Sequence, residues 1–105
     1  MNEVSNLYTS LEDILTMARN RAAVGKGRLR HATGEPFEQQ PICTELRKMG
    51  LEPAIYQIRK KSLECLRFKG LKGRERRTNE LLDVIVYAAA AVIVNEEGGK
   101  DERNQ

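Results

Sequence analysis

Two carboxylates stand three positions apart at the start of the longest apolar segment of the chain. Glu80 and Asp83 belong to the sequence Glu-Leu-Leu-Asp, and the apolar run 84–94 follows directly. Residues three apart share one face of a helix, so the pair could bind a divalent cation. For Glu80 the alternative is simple attraction of an acidic residue to the positive end of a helix dipole. Asp83 is harder to explain in that way, because a carboxylate on an apolar helix needs a partner or a metal.

A second polar group, Lys60-Lys61-Ser62-Leu63-Glu64, precedes this pair, with Gln57 one helical turn before Lys61. If the two segments form antiparallel neighbouring helices, Glu64 approaches the other two carboxylates, and the lysines lie beside them for phosphate oxygens. The alternative is a solvated helix face with an ion pair between Lys60 and Glu64. We predict that Glu64, Glu80 and Asp83 bind Mg²⁺ or Mn²⁺ and are also the catalytic residues. The predicted substrate-binding residues in this part are Gln57, Lys60 and Lys61.

A long segment between the first two predicted helices, about 23–40, carries a third group that could bind phosphate. It contains Gly25-Lys26-Gly27-Arg28-Leu29-Arg30-His31, with cations beside glycines and the only histidine of the chain. Backbone amides next to glycine suit an anion, so Arg30 and His31 join the predicted substrate-binding residues. The spacing is not that of a nucleotide P-loop, and the alternative is a flexible surface loop.

The charge of the chain is uneven. Residues 59–77 hold nine basic and two acidic residues, so this basic run carries +7 and the rest of the chain carries −4. Such a run could bind nucleic acid or an acidic partner, or it could be a solvated turn. Its one aromatic residue, Phe68, gives little support for base stacking. A catalytically inactive helical protein that binds through this surface is therefore the alternative functional hypothesis.

Apolar spacing predicts four helices. Residues recurring every three or four positions from Val4 to Ala22 predict a first helix over about 2–23, with a weaker alternative that begins at Ser10. Pro41 and Gly50 delimit a second helix over about 41–49. The third is predicted over about 53–68. The fourth, 81–94, contains β-branched residues that favour a strand, but four consecutive alanines favour a helix.

These elements predict an all-α, four-helix bundle-like fold in a single domain, 1–97, followed by a disordered polar tail, 98–105. With 105 residues there is no material for a second core. We expect a homodimer, because a helix that is apolar on all sides needs more neighbours than one small subunit offers. The apolar run of 11 residues is shorter than the ~20 of a membrane span. With no recognisable secretory signal, a cytoplasmic location without membrane association is expected.

Cysteine and histidine chemistry is poorly supported. Cys43 and Cys65 lie 22 positions apart and are expected to be small core residues. With a single histidine, the chain cannot complete a closed zinc site. Any metal would have to be a hard ion bound by carboxylates.

The sequence from Glu80 to Val94 resembles the second half of the signature of the MazG-like, all-α nucleoside triphosphate pyrophosphatases. In that superfamily an EExxE helix precedes an ExxD helix, and the carboxylates bind Mg²⁺. Here 60–64 occupies the first position, with lysines in place of the first two acids. The segment 30–37, Arg-His-Ala-Thr-Gly-Glu-Pro-Phe, is similar to a loop of the small phage-associated branch. The resemblance covers about residues 20–95.

The resemblance implies a nucleoside triphosphate as substrate and its hydrolysis to monophosphate and pyrophosphate. Replacing two of these five acids by lysines removes much of the negative charge that attracts a divalent ion. We therefore expect the metal to bind weakly to the free protein or to arrive with the nucleotide, whose phosphates the lysines would contact.

Overall fold

The computed structural model describes residues 6–24 and 34–103, with side chains described as far as Gly98. This part of the chain is helical and contains no strand, which confirms the all-α prediction. The helices are α1 (Thr9–Ala23), α2 (Pro41–Met49), α3 (Glu52–Cys65) and α4 (Arg74–Arg103), with a short 3-10 helix, Phe37–Gln39, between α1 and α2.

The helix boundaries differ from the predictions where the sequence is polar. α1 begins at Thr9, one residue before the alternative start, and residues 1–5 lie outside the described part. α3 ends at Cys65 rather than residue 68, because the Leu66 and Arg67 amides bond carbonyls three residues back and tighten the chain into a turn.

α4 is much longer than predicted. It begins at Arg74 instead of residue 81 and continues to Arg103 instead of ending at 94. The added turns carry Arg, Glu and Lys, which favour helices but leave no apolar periodicity to detect. The helix therefore enters the predicted polar tail, and the disorder of 98–105 remains a prediction.

α4 is the central element of the fold, and α1, α2 and α3 all pack on it. α4 contributes half of the buried apolar side chains, whose full set is Ala18, Ile42, Cys43, Leu46, Ala54, Leu82, Val86, Tyr87, Ala90 and Ala91. Cys43 is therefore a core residue as predicted, whereas Cys65 is half-buried. In the described residues, no helix combines the length and apolar character required to cross a membrane.

α3 and α4 are antiparallel neighbours, as the grouping of the carboxylates requires. Cys65 contacts the Arg77 carbonyl, and Lys61, one turn earlier on α3, reaches Asp83 further along α4. Contacting residues thus have decreasing numbers on α3 and increasing numbers on α4, so the two helices run in opposite directions. The turn between them uses Gly70 at φ 70° and Gly73, whose Cα lies too close to the Phe68 and Lys69 backbone for a Cβ.

The end of the long loop folds back onto the helices. Gly34 has φ 83°, and the Gln40 side chain donates a hydrogen bond of 2.7 Å to the Glu35 carbonyl. Phe37 then packs against the core. An apolar cavity of about 420 Å³ lies between α1, the 3-10 helix and α4.

Candidate functional site

Asp83 is the centre of a charged cluster where α1, α3 and α4 meet. Only 2% of its surface is exposed, and it is the buried charged residue of the described core. Its Oδ1 accepts a hydrogen bond of 2.6 Å from Arg21 Nε, and its Oδ2 lies 3.4 Å from Arg21 Nη2. The hydrogen bond to Asp83 raises the pKa of Arg21 above its ordinary value. The ion pair between Asp83 and Arg21 therefore links α4 to α1.

Lys61 joins the same carboxylate from α3. Its Nζ lies 3.1 Å from Asp83 Oδ2 and 3.9 Å from Glu80 Oε2. The Lys61 side chain is 19% exposed, so this ammonium is largely withdrawn from water. Lys61 and Arg21 therefore supply the positive charge that a buried Asp83 requires.

Glu80 and Glu64 form the acidic side of the cluster. The Glu80 Oε2 atom is buried and accepts no hydrogen bond in the structure. Burial raises the pKa of Glu80, and a hydrogen bond with the Glu64 carboxyl raises it further. The neutral form of Glu80 is thus favoured by burial and by the neighbouring carboxyl group.

The cluster is nearly balanced in charge by its own side chains. Glu64, Glu80 and Asp83 give −3 when ionised, and Arg21 and Lys61 give +2. Protonation of Glu80, which its raised pKa favours, brings the sum to zero. A cation could replace that proton, whereas a bound phosphate would have to draw Lys61 or Arg21 away from Asp83.

The three predicted metal ligands converge on one junction, but they do not form a preformed metal site. Among the described residues, no group of three or more carboxylate, histidine or cysteine side chains is placed to hold a metal ion. Asp83 faces Arg21 and Lys61, while Glu64 and Glu80 face each other. Helices α3 and α4 are antiparallel, as the predicted grouping of these carboxylates requires, whereas their role as metal ligands remains a prediction.

The other predicted substrate-binding residues are placed differently. Gln57 is half-buried one turn before Lys61 on α3, so it lies on the face that meets α4. Lys60 is exposed and points to the solvent side of α3. Arg30 and His31, with the glycine-rich segment 25–31, lie outside the described residues.

Arg21 is the cluster residue that the sequence interpretation missed. The available signal was its position among Ala18 and Ala22, on the apolar side of the first helix. An arginine there must reach solvent or a buried acid, and Asp83 is an acid that needs a partner or a metal. Only the packing of α1 on α4 shows that each is the other's partner.

The basic run forms a separate surface at the turn between α3 and α4. Arg77 is turned inward and donates hydrogen bonds to the Phe68 and Gly70 carbonyls. The Arg76 guanidinium lies 5.2 Å from the centre of the Phe68 ring, so this aromatic face is already covered. The exposed cations of this basic surface are Arg59, Lys60, Arg67, Lys69, Lys72, Arg74 and Arg76.

No protein-family model, curated protein or solved structure matches this chain. The likeness to the MazG-like superfamily consequently remains a prediction from the sequence.

Proposed function

We propose that the charged cluster binds the polyphosphate of a nucleoside triphosphate together with Mg²⁺ or Mn²⁺, in a MazG-like protein. The observation that carries the proposal is the buried Glu80 Oε2, which has no hydrogen-bond donor although it lies beside a second carboxyl group. Lys61 Nζ is 3.9 Å from this oxygen, which is too far for a hydrogen bond. A buried carboxylate oxygen without a hydrogen bond is costly, and a bound cation would relieve that cost.

The residues of the cluster fit a cation as a pair rather than as a triad. Glu64 and Glu80 would hold it once Glu80 is ionised, and Asp83 would join only if Arg21 or Lys61 released it. Lys61 and Arg21 then become available to phosphate oxygens, so metal and phosphate fit the cluster best when they arrive together. When bound, the metal would supply an activated water and neutralise phosphate charge, as hydrolysis to pyrophosphate requires.

The experiment is a pyrophosphate-release screen over the common NTPs and dNTPs with Mg²⁺ and with Mn²⁺. Activity with at least one nucleotide is expected, and Glu80→Gln should reduce it by about 100-fold or more, because the substitution keeps the shape and removes the charge. Lys61→Gln should weaken nucleotide binding, whereas Lys48→Gln, an exposed lysine on α2, provides the matched control.

Thermal stabilisation by Mg²⁺ with a nucleotide separates binding from catalysis. Stabilisation that disappears in Glu80→Gln, without pyrophosphate release, would retain the binding site and reject the hydrolase. If no nucleotide stabilises the protein or releases pyrophosphate, the proposal is wrong.

A second candidate function is polyanion binding by the basic surface, which is favoured by the exposure of seven of the nine cations in the run. Each phosphate contact releases counterions, so binding of a labelled DNA or RNA should weaken steeply with salt. Lys69→Glu with Lys72→Glu should weaken that binding and leave nucleotide-dependent stabilisation unchanged. Equal affinity of this double variant and the wild type would reject the surface.

A further inference from the structure

The first half of α1 and the three residues before it, 6–8, present apolar side chains that nothing in the described chain covers. Every residue from Asn6 to Met17 is exposed, and the first buried residue of the helix is Ala18. The exposed set that we call the α1 stripe recurs at spacings of four, three and one and consists of Leu7 (78% exposed), Leu11 (52%), Ile14 (42%) and Leu15 (47%). A half-helix without packing is marginal in water, so this one requires a partner.

The apolar pattern of the sequence predicts a dimer through a different element, the 84–94 helix, which is apolar on all sides. In the structure α1, α2 and α3 pack on α4 and bury Leu82, Val86, Tyr87, Ala90 and Ala91. Val92 of this helix is still 59% exposed, but the longest run of exposed positions in the described residues, 6–17, lies on α1 and just before it. We therefore expect the contact on that face of the molecule.

The α1 stripe leads directly into the apolar cavity. Leu15 belongs to the stripe and also lines the cavity, together with Ala18, Ala22, Phe37 and Val86. The N-terminal half of α1 thus carries large apolar side chains, whereas its C-terminal half carries alanines beside the open cavity. Two such helices placed in opposite directions would set the leucines of each beside the alanines of the other.

The charges of α1 have the same two-part arrangement. Glu12 and Asp13 are exposed in the first half, and Arg19 is exposed in the second, where its hydrogen bond of 3.5 Å goes to the adjacent Asn20. In an antiparallel pair with its two-fold axis near Leu15, Arg19 of each copy lies opposite Glu12 of the other. Such self-complementarity is the signature of an isologous contact between identical chains.

We propose that the α1 stripe and the adjoining cavity form an antiparallel, two-fold interface with a second copy of this chain. The occupant is a second copy because both the size pattern and the charge pattern of α1 complement themselves. The interface does not depend on the nucleotide site.

Sedimentation equilibrium of the full chain tests the interface. The wild type is expected to have twice the monomer mass of 11.9 kDa. Leu11→Glu should give the monomer mass, because it places a carboxylate in the centre of the interface. Leu71→Glu is the matched control, since Leu71 is 85% exposed at the α3–α4 turn, away from α1, and this variant should remain a dimer.

Disulfide trapping gives a second measurement that does not need a destabilising variant. In a Cys65→Ser background, Leu15→Cys should form a disulfide-linked dimer on mild oxidation, since the two-fold axis brings the two copies of residue 15 together. Tyr56→Cys, on the exposed face of α3, should give little cross-linked product. Cys43 is buried and should not contribute.

A monomeric wild type at a concentration on the order of 100 μM would overturn the proposal, because a specific dimer with a Kd near 1 μM is then the major species. A dimer that persists in Leu11→Glu would place the contact elsewhere, as would equal cross-linking at positions 15 and 56.

Discussion

Removing the Asp83 carboxylate should destabilise the protein far more than removing an equally well-formed ion pair at the surface. Asp83→Ala deletes the acceptor of both Arg21 and Lys61, whose side chains are 34% and 19% exposed. Deleting one partner of a buried ion pair costs about 3–5 kcal/mol, and the partial exposure of both cations places the expected loss near ~3 kcal/mol. Glu97 provides the control. Its carboxylate accepts two hydrogen bonds from Arg47, at 2.7 and 3.0 Å, but is 43% exposed.

The assay is urea unfolding followed by circular dichroism at the helix band. The free energy of unfolding of a chain of this size falls by about 1.5 kcal/mol per M of urea, so Asp83→Ala should lower the urea midpoint of unfolding by about 2 M. Glu97→Ala should cost about 1 kcal/mol or less, as exposed pairs do. Equal losses in the two variants would refute the reasoning, because the two ion pairs have similar geometry and differ in burial.

Three further predictions follow from single groups. The pKa of Glu80 is raised above 4.5, so the folded protein binds this proton more tightly than the unfolded chain. The stability that Glu80 contributes is therefore fully present below pH 4.5 and is lost as the pH rises through the raised pKa. Urea unfolding should show the wild type losing stability relative to Glu80→Gln over that pH range. A difference between the two proteins that does not change with pH would contradict this. Burial raises the pKa of the Cys43 thiol, so a thiol reagent should label the half-buried Cys65 quickly and Cys43 only after unfolding, and rapid labelling of both would be inconsistent with the structure. Gly73→Ala should destabilise by about 1–3 kcal/mol, since a Cβ would lie 2.6 Å from the Phe68 carbonyl carbon, whereas Gly98→Ala meets nothing within 4 Å and should be neutral or stabilising.

Much of the secondary structure could be predicted because local chemistry decides it. Pro41 and Gly50 mark α2 within one residue, since proline favours the first helical turn and Gly50 adopts φ 84° at the end of the helix. Four alanines correctly favour a helix for 84–94 over the strand that its β-branched residues suggest. The polar start of α4 escaped prediction, because residues 74–80 have helix propensity but no apolar face to reveal it.

The sequence by itself indicated that Asp83 needs a partner or a metal, because an ionised carboxylate on an apolar helix cannot remain unpaired. It placed Glu64 near Glu80 and Asp83 only on the condition that helices 3 and 4 are antiparallel neighbours, and left a solvated Lys60–Glu64 ion pair as the alternative. Only the tertiary structure decided that the partners of Asp83 are Arg21 and Lys61, because 62 positions separate Arg21 from Asp83 and only packing brings α1 onto α4. The structure likewise decided which apolar face stays uncovered: periodicity shows that a helix has such a face, whereas its neighbours determine whether that face is filled.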